Sequence, residues 1–339
     1  MILLNGGSDS SHVQIIENGK KKKNKLSIVK VLLSFFVFVL LIGTTFWSAQ
    51  WFWDKNAVLD VFSGSLETSA ANIIESSVPI KPSILEKPLT LKNKEIEQFD
   101  IGAASAISVE IKDGQEAVLF GKLPNQKLPI ASLAKLMTSL IVLEQYDLSQ
   151  KVTVSQGAMN QEGDQGDLKL GQTFSVKDLL YITLIESSNK SAYALAGVMG
   201  NYKFVDMMNE RARQLQLTGT YFVDSTGIRP GSRSTASDLV KLSRHLFENY
   251  PLFREIISLK EYELYLDNNE FHHKLVTTNK LLGEVPNVLG GKTGWTNIAK
   301  GSFMVIEKNP RRENYSIHVI LGSEDRFEEM RKLISWSNH

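Results

Sequence analysis

The chain has no cysteine in its 339 residues. That excludes a disulfide framework, thiolate catalysis and any cysteine-ligated metal. Histidine is scarce too, six in all, and only His272 and His273 are adjacent. No His-Glu-x-x-His or comparable spacing occurs, so neither a metal nor a cofactor is expected. Net charge is nearly absent, +1 from 38 basic and 37 acidic residues, which argues against nucleic acid as a partner. No internal repeat is found. What remains is an ordinary apolar fraction of 42% and a length that suits about two domains, or one large one.

The apolar residues are unevenly placed. Residues 1–19 are polar and aperiodic, and Lys20-Lys21-Lys22-Lys23 follows, with Lys25 and Lys30 behind it. An uncharged run then fills 31–53, opening Val31-Leu32-Leu33-Ser34-Phe35-Phe36-Val37-Phe38. About 20 apolar residues cross a bilayer core. The lysines would hold the N-terminal end in the cytoplasm, and Trp47, Trp51 and Trp53 suit the far interface. The expectation is a basic cytoplasmic head at 1–25 and a single transmembrane anchor at 26–53. A cleaved leader is the alternative, but Trp47-Ser48-Ala49 sets a tryptophan where the cleavage site wants a small residue. Residues 54–99 are rich in Ser, Pro, Lys and Glu, and Pro79 and Pro82 interrupt any helix. They read as a stalk with a coil reach of roughly 40 Å. Everything beyond is expected outside the cytoplasm.

Residues 100–339 read as one globular domain. Ser105-Ala106-Ile107-Ser108-Val109-Glu110-Ile111 alternates, turns at Lys112-Asp113-Gly114 and resumes at Ala117-Val118-Leu119-Phe120, a hairpin. Helical periods occupy 133–146, 176–186, 191–198, 203–215 and 236–249. Strands are expected at 288–289, 302–306 and 316–321, and an amphipathic helix at 324–336. The fold class is therefore α+β: N- and C-terminal strands share one antiparallel sheet, with a helical cluster beside it.

Three short motifs carry the chemistry. Ser132-Leu133-Ala134-Lys135 opens an apolar helical run and sets an amine one turn above a hydroxyl. Such a pair can act as a nucleophile with its own base. The same spacing recurs at Ser27/Lys30, beside the apolar run, and at Ser187/Lys190. Ser187-Ser188-Asn189 falls where two helical stretches break. Lys292-Thr293-Gly294 follows Gly290-Gly291 near the end of a short strand, where a substrate backbone could lie close. Gly291-Lys292-Thr293 imitates a phosphate-binding loop, but position 286 is proline where the first glycine belongs. Ser225-Thr226-Gly227 reads as a turn, Asp164-Gln165-Gly166-Asp167 as a glycine-bearing loop, and His272-His273 as strand or surface residues.

In the order Ser-x-x-Lys, Ser-x-Asn, Lys-Thr-Gly, these motifs form the signature of penicillin-binding proteins and β-lactamases. Residues 100–339 resemble the D-alanyl-D-alanine carboxypeptidases, the low-molecular-mass penicillin-binding proteins. Asp224-Ser225-Thr226-Gly227-Ile228 and Asn279-Lys280-Leu281-Leu282 resemble connecting segments of that family. The resemblance implies that Ser132 attacks the peptide carbonyl and becomes acylated, with Lys135 as the base that takes its proton. Lys135 must then be neutral, and burial together with the like charge of Lys292 would lower its pKa. Ser187 would pass the proton to the leaving amine. Asn189, Lys292, Thr293 and Gly294 would bind substrate, with Lys292 and Thr293 on its carboxylate. The backbone N–H groups of Ser132 and Trp295 would form the oxyanion hole, each such donor being worth about 10²–10³ in rate. The implied partners are peptidoglycan stem peptides ending in D-Ala-D-Ala, and β-lactams as covalent inhibitors. A DD-endopeptidase, a β-lactamase and a non-catalytic penicillin or wall-peptide binder share the signature. The sequence departs from the family in having Ser188 for a glycine, Lys190 for an acid and Lys300 for a glycine.

Overall fold

The computed structural model describes residues 99–309 and 314–338. The proposed head, the anchor at 26–53 and all but the last residue of the stalk lie outside them. Among the described residues no helix is long and apolar enough to cross a membrane.

The chain enters through a hairpin, β1 Ser105–Lys112 and β2 Gln115–Lys122, and a short β3, Leu128–Pro129. A 3₁₀ turn, Ala131–Leu133, runs straight into α1, Ala134–Gln145. A mixed region follows: β4 Lys151–Thr153, α2 Gln156–Met159, β5 Thr173–Ser175, α3 Val176–Ile185, α4 Asn189–Gly197 and α5 Asn201–Gln214. After β6, Arg233–Ser234, come α6 Ala236–Asn249 and α7 Pro251–Ile257, then a second hairpin, β7 Glu261–Tyr265 and β8 Phe271–Val276. The chain closes with β9 Val288–Thr296, β10 Lys300–Lys308, β11 Tyr315–Ser323 and α8 Arg326–Ser337.

The first and last strands do share one antiparallel sheet, in the order β2-β1-β11-β10-β9. β1 pairs with β11 from Ser105 opposite Leu321 to Ile111 opposite Tyr315. Alternation along the strands divides the apolar residues between two cores. Ile107, Val109, Met304, Ile306, Ile317 and Val319 face the helical cluster. Ala106, Phe120, Phe303, Val305 and Ile320 pack with Met330, Leu333 and Ile334 of α8. The helices are cut where the chemistry of capping dictates. Ser175 and Asp178 form a reciprocal capping box on α3, and Thr235 caps α6.

Several elements differ from the sequence expectation. β9 runs to Thr296, so Lys292-Thr293-Gly294 lies inside a strand rather than near the end of a short one. The adjacent glycines disguised it, because pairing to β10 from Val288 through Thr296 sustains the strand in spite of their low propensity. Pro251 hid α7, yet it occupies the first turn, where a missing N–H costs nothing. The β7–β8 hairpin was overlooked because most of its residues are exposed or half-exposed, which blurs the alternation.

One polar pair sits within the sheet. His318 Nε2 and Glu307 Oε2 are 3.2 Å apart with side chains 0% and 3% exposed, and Asn338 Nδ2 donates to the other carboxylate oxygen. Replacing one member of such a pair leaves the other short of a buried hydrogen-bond partner. His318→Leu is expected to lower stability by about 1–3 kcal/mol, whereas His318→Leu combined with Glu307→Leu should recover most of that loss. Equal denaturation midpoints for wild type and the single variant would contradict this.

Candidate active site

The nucleophile sits on a strained turn. Ala131 has φ of 48° and Ser132 follows it in the 3₁₀ turn that leads into α1. Lys135, one turn on, is completely buried. Its Nζ lies 2.9 Å from Ser132 Oγ, 2.6 Å from Asn189 Oδ1 and 2.9 Å from the Thr226 carbonyl oxygen. A neutral amine has two N–H donors and one lone pair. With Asn189 and Thr226 accepting the two donors, the lone pair is left for the Ser132 hydroxyl. Burial pushes the Lys135 pKa down to about 7, against the opposing pull of the Asp224 carboxylate. The expected help from the charge of Lys292 is not what lowers it; burial is.

Lys292 is its counterpart on β9. It is 1% exposed, and burial and then the like charge of Lys135 hold its pKa well below the usual lysine range. Its Nζ donates to Ser187 Oγ at 2.6 Å and to the Thr293 carbonyl at 3.0 Å. Ser187 has φ of 62° and lies between Glu186, which ends α3, and Ser188, which caps α4. Strain of this kind, of order 1–3 kcal/mol per residue, gathers at functional sites. Thr293 Oγ1 donates to Thr278 Oγ1. Gly294 presses β9 against the nucleophile turn, where a Cβ would meet Ser132 N at 2.9 Å. Ser132, Asn189 and Trp295 all line one open cleft of about 360 Å³. The three motifs therefore converge through two linked lysine–serine pairs. Lys292 and Thr293 lie buried beside that cleft.

Sequence reasoning passed over three contributors. Thr226, read as part of a turn, supplies a carbonyl to Lys135. Asp224 fixes that turn by accepting from the N–H groups of Thr226, Gly227 and Arg229. Glu162 accepts from Asn189 Nδ2 at its carbonyl, so both ends of the Asn189 amide are engaged. An Asp two residues ahead of Thr-Gly is an Asx-turn signal; backbone acceptors leave none. The departures from the family also find partners. Ser188 caps α4 through Ser191 N, Lys190 lies 3.5 Å from Asp164, and Lys300 takes a φ of 55° with Glu324 3.3 Å away.

A serine whose hydroxyl faces a buried, pKa-lowered lysine defines a serine hydrolase that works through an acyl-enzyme. A family model described as D-alanyl-D-alanine carboxypeptidase matches residues 92–325, and the chain belongs to that family. It is similar to D-alanyl-D-alanine carboxypeptidase DacF of Bacillus subtilis, 31% identical over 69% of this chain and 62% of that protein. It is also similar to the D-alanyl-D-alanine endopeptidase of Escherichia coli, 30% identical over 77% of this chain and 84% of that one. Among solved structures, penicillin-binding protein D2 of Listeria monocytogenes in its cefotaxime-bound form matches with a TM-score of 0.60. It is 27% identical and covers 71% of this chain and 99% of that chain.

Gly227 tests the packing behind the nucleophile. It has φ of +79°, and a Cβ there would lie 1.9 Å from the Ala131 carbonyl oxygen. Gly114, at φ +76°, has open space around it. Gly114→Ala should cost about 1–2 kcal/mol for backbone conformation alone. Gly227→Ala should cost roughly 1–3 kcal/mol more for the forced displacement. Equal Tm shifts for the two variants would refute the close approach.

Proposed function

We propose that the chain is a membrane-anchored serine-type D-Ala-D-Ala carboxypeptidase. It removes the terminal D-alanine from peptidoglycan stem pentapeptides outside the cytoplasmic membrane. The Lys135–Ser132 contact carries this reading. Neutral Lys135 takes the Ser132 proton as Oγ attacks the carbonyl carbon of the penultimate D-alanine. The backbone N–H groups of Ser132 and Trp295 receive the developing oxyanion. Ser187, held by Lys292, relays to the departing amine the proton that Lys135 took from Ser132, regaining one as it gives one up, and Lys292 with Thr293 draws the substrate carboxylate toward β9. Water then releases the shortened peptide from Ser132. β-Lactams acylate the same serine, and cefotaxime in the Listeria relative supports this. The lysine-rich head, the apolar run and the proline-bearing stalk in the sequence support a catalytic domain at 100–339 that works beyond the membrane.

A second reading is favoured by one observation. Of the two relatives named above, the one of which this chain covers the larger share is an endopeptidase, which supports cross-linked dimers as a substrate for the same machinery. Mass spectrometry of muropeptides separates the two. Purified 100–339 should shorten pentapeptide monomers by one alanine, and Ser132→Ala should not. Conversion of cross-linked dimers with monomers left intact would establish the endopeptidase instead.

The base assignment has a pH consequence. Lys135 is active only when unprotonated, so Ser132 acylation by a fluorescent penicillin should rise about tenfold per pH unit below 7 and level off above it. An acylation rate independent of pH between 5.5 and 8.5 would remove Lys135 from that role.

A further inference from the structure

The cleft beside Ser132 has an open lobe that the mechanism above leaves unused. Its wall is the segment from Gly227 to Arg233, facing Trp295 and Ile298. Arg229 and Arg233 are both exposed, and among the described residues no carboxylate is paired with either guanidinium. Their backbones, by contrast, are pinned. Arg229 N donates to Asp224 Oδ2, and Ser232 Oγ accepts from Val223 N. Arg233 exchanges two backbone hydrogen bonds of 2.8 Å with Tyr221 and pairs across β3 with Pro129. The lining thus includes two arginines on a hydrogen-bonded backbone and one acidic residue, Glu162. Guanidinium forks match carboxylate geometry, and a fixed backbone lowers the ordering cost of using them.

We infer that Arg229 and Arg233 form a specificity subsite for a free carboxylate on the side chain of the residue preceding D-Ala-D-Ala. The inference rests on the carboxypeptidase reading. In that reading the terminal carboxylate lies toward Lys292 and Thr293, so the open lobe receives the acyl side of the peptide. Stem peptides whose third residue ends in a carboxylate are then preferred over those in which it is amidated or ends in an amine.

The test uses Nα-acetyl-L-Xaa-D-Ala-D-Ala with Xaa as α-aminoadipate, its side-chain amide, or lysine. Binding is measured by calorimetry on Ser132→Ala, which needs no turnover, and hydrolysis on the wild type. The carboxylate peptide should bind about tenfold more tightly than its amide, with the advantage falling as salt rises. Hydrolysis should show the preference in KM rather than kcat. Arg229→Gln with Arg233→Gln should abolish the preference, and the paired lysine variants should retain part of it. Equal affinity for the acid and amide, tighter binding of the lysine peptide, or binding of none of them overturns the subsite. Carboxylate-selective binding without hydrolysis by the wild type would instead overturn the carboxypeptidase reading and leave the subsite standing.

Discussion

The site depends on the removal of one lysine from water. An ammonium in bulk solvent is useless as a base near neutrality, and Lys135 becomes one because helices and sheet close over it. Burying an amine is costly unless its hydrogens find acceptors. The Asn189 side chain and the Thr226 carbonyl provide them from two separate parts of the chain. The same two contacts orient the lone pair, so the groups that make burial tolerable also aim the base. Asp224 works the other way, favouring the charged form. Its hydrogen bonds hold the turn that carries Thr226, a structural service set against an electrostatic penalty. Lys292 repeats the pattern beside Ser187.

Much of this was legible in the letters, for identifiable reasons. Alternation at 105–111 and the apolar period after Ser132 read as a strand and a helix, and both elements fold as read, although β1 is buried on both faces and not on one. The shared sheet of early and late strands followed from their order. The motifs found one another because side chains carry their chemistry and those side chains are encoded. What escaped is of another kind. The Thr226 and Glu162 carbonyls belong to the backbone, and any residue could supply them. β9 was read too short because its glycines suppress local propensity while its partner strand sustains it. Burial was expected to lower the Lys135 pKa and does so, whereas the added push expected from Lys292 is absent and the Asp224 carboxylate, unforeseen, pulls the other way.

The departures from the family motif illustrate local compensation. Lys190 reverses a charge beside the second motif, and Asp164 of the neighbouring loop answers it. Ser188 adds a hydroxyl where a glycine is usual and uses it to cap α4, so the turn that strains Ser187 gains an anchor. Both changes leave the Lys135–Asn189 contact intact.

The place of β11 has a consequence for how the site is held together. It lies between β1 and β10, so without it the sheet falls into a detached hairpin and a detached pair. The strand that carries Lys292 is in the second fragment. A chain unable to form β11 could not join the strand that carries Lys292 to the hairpin that precedes the Ser132 turn. Assembly of the two lysine–serine pairs is thereby tied to closure of the whole sheet, and damage to a strand that bears none of the three motifs would be felt at all of them.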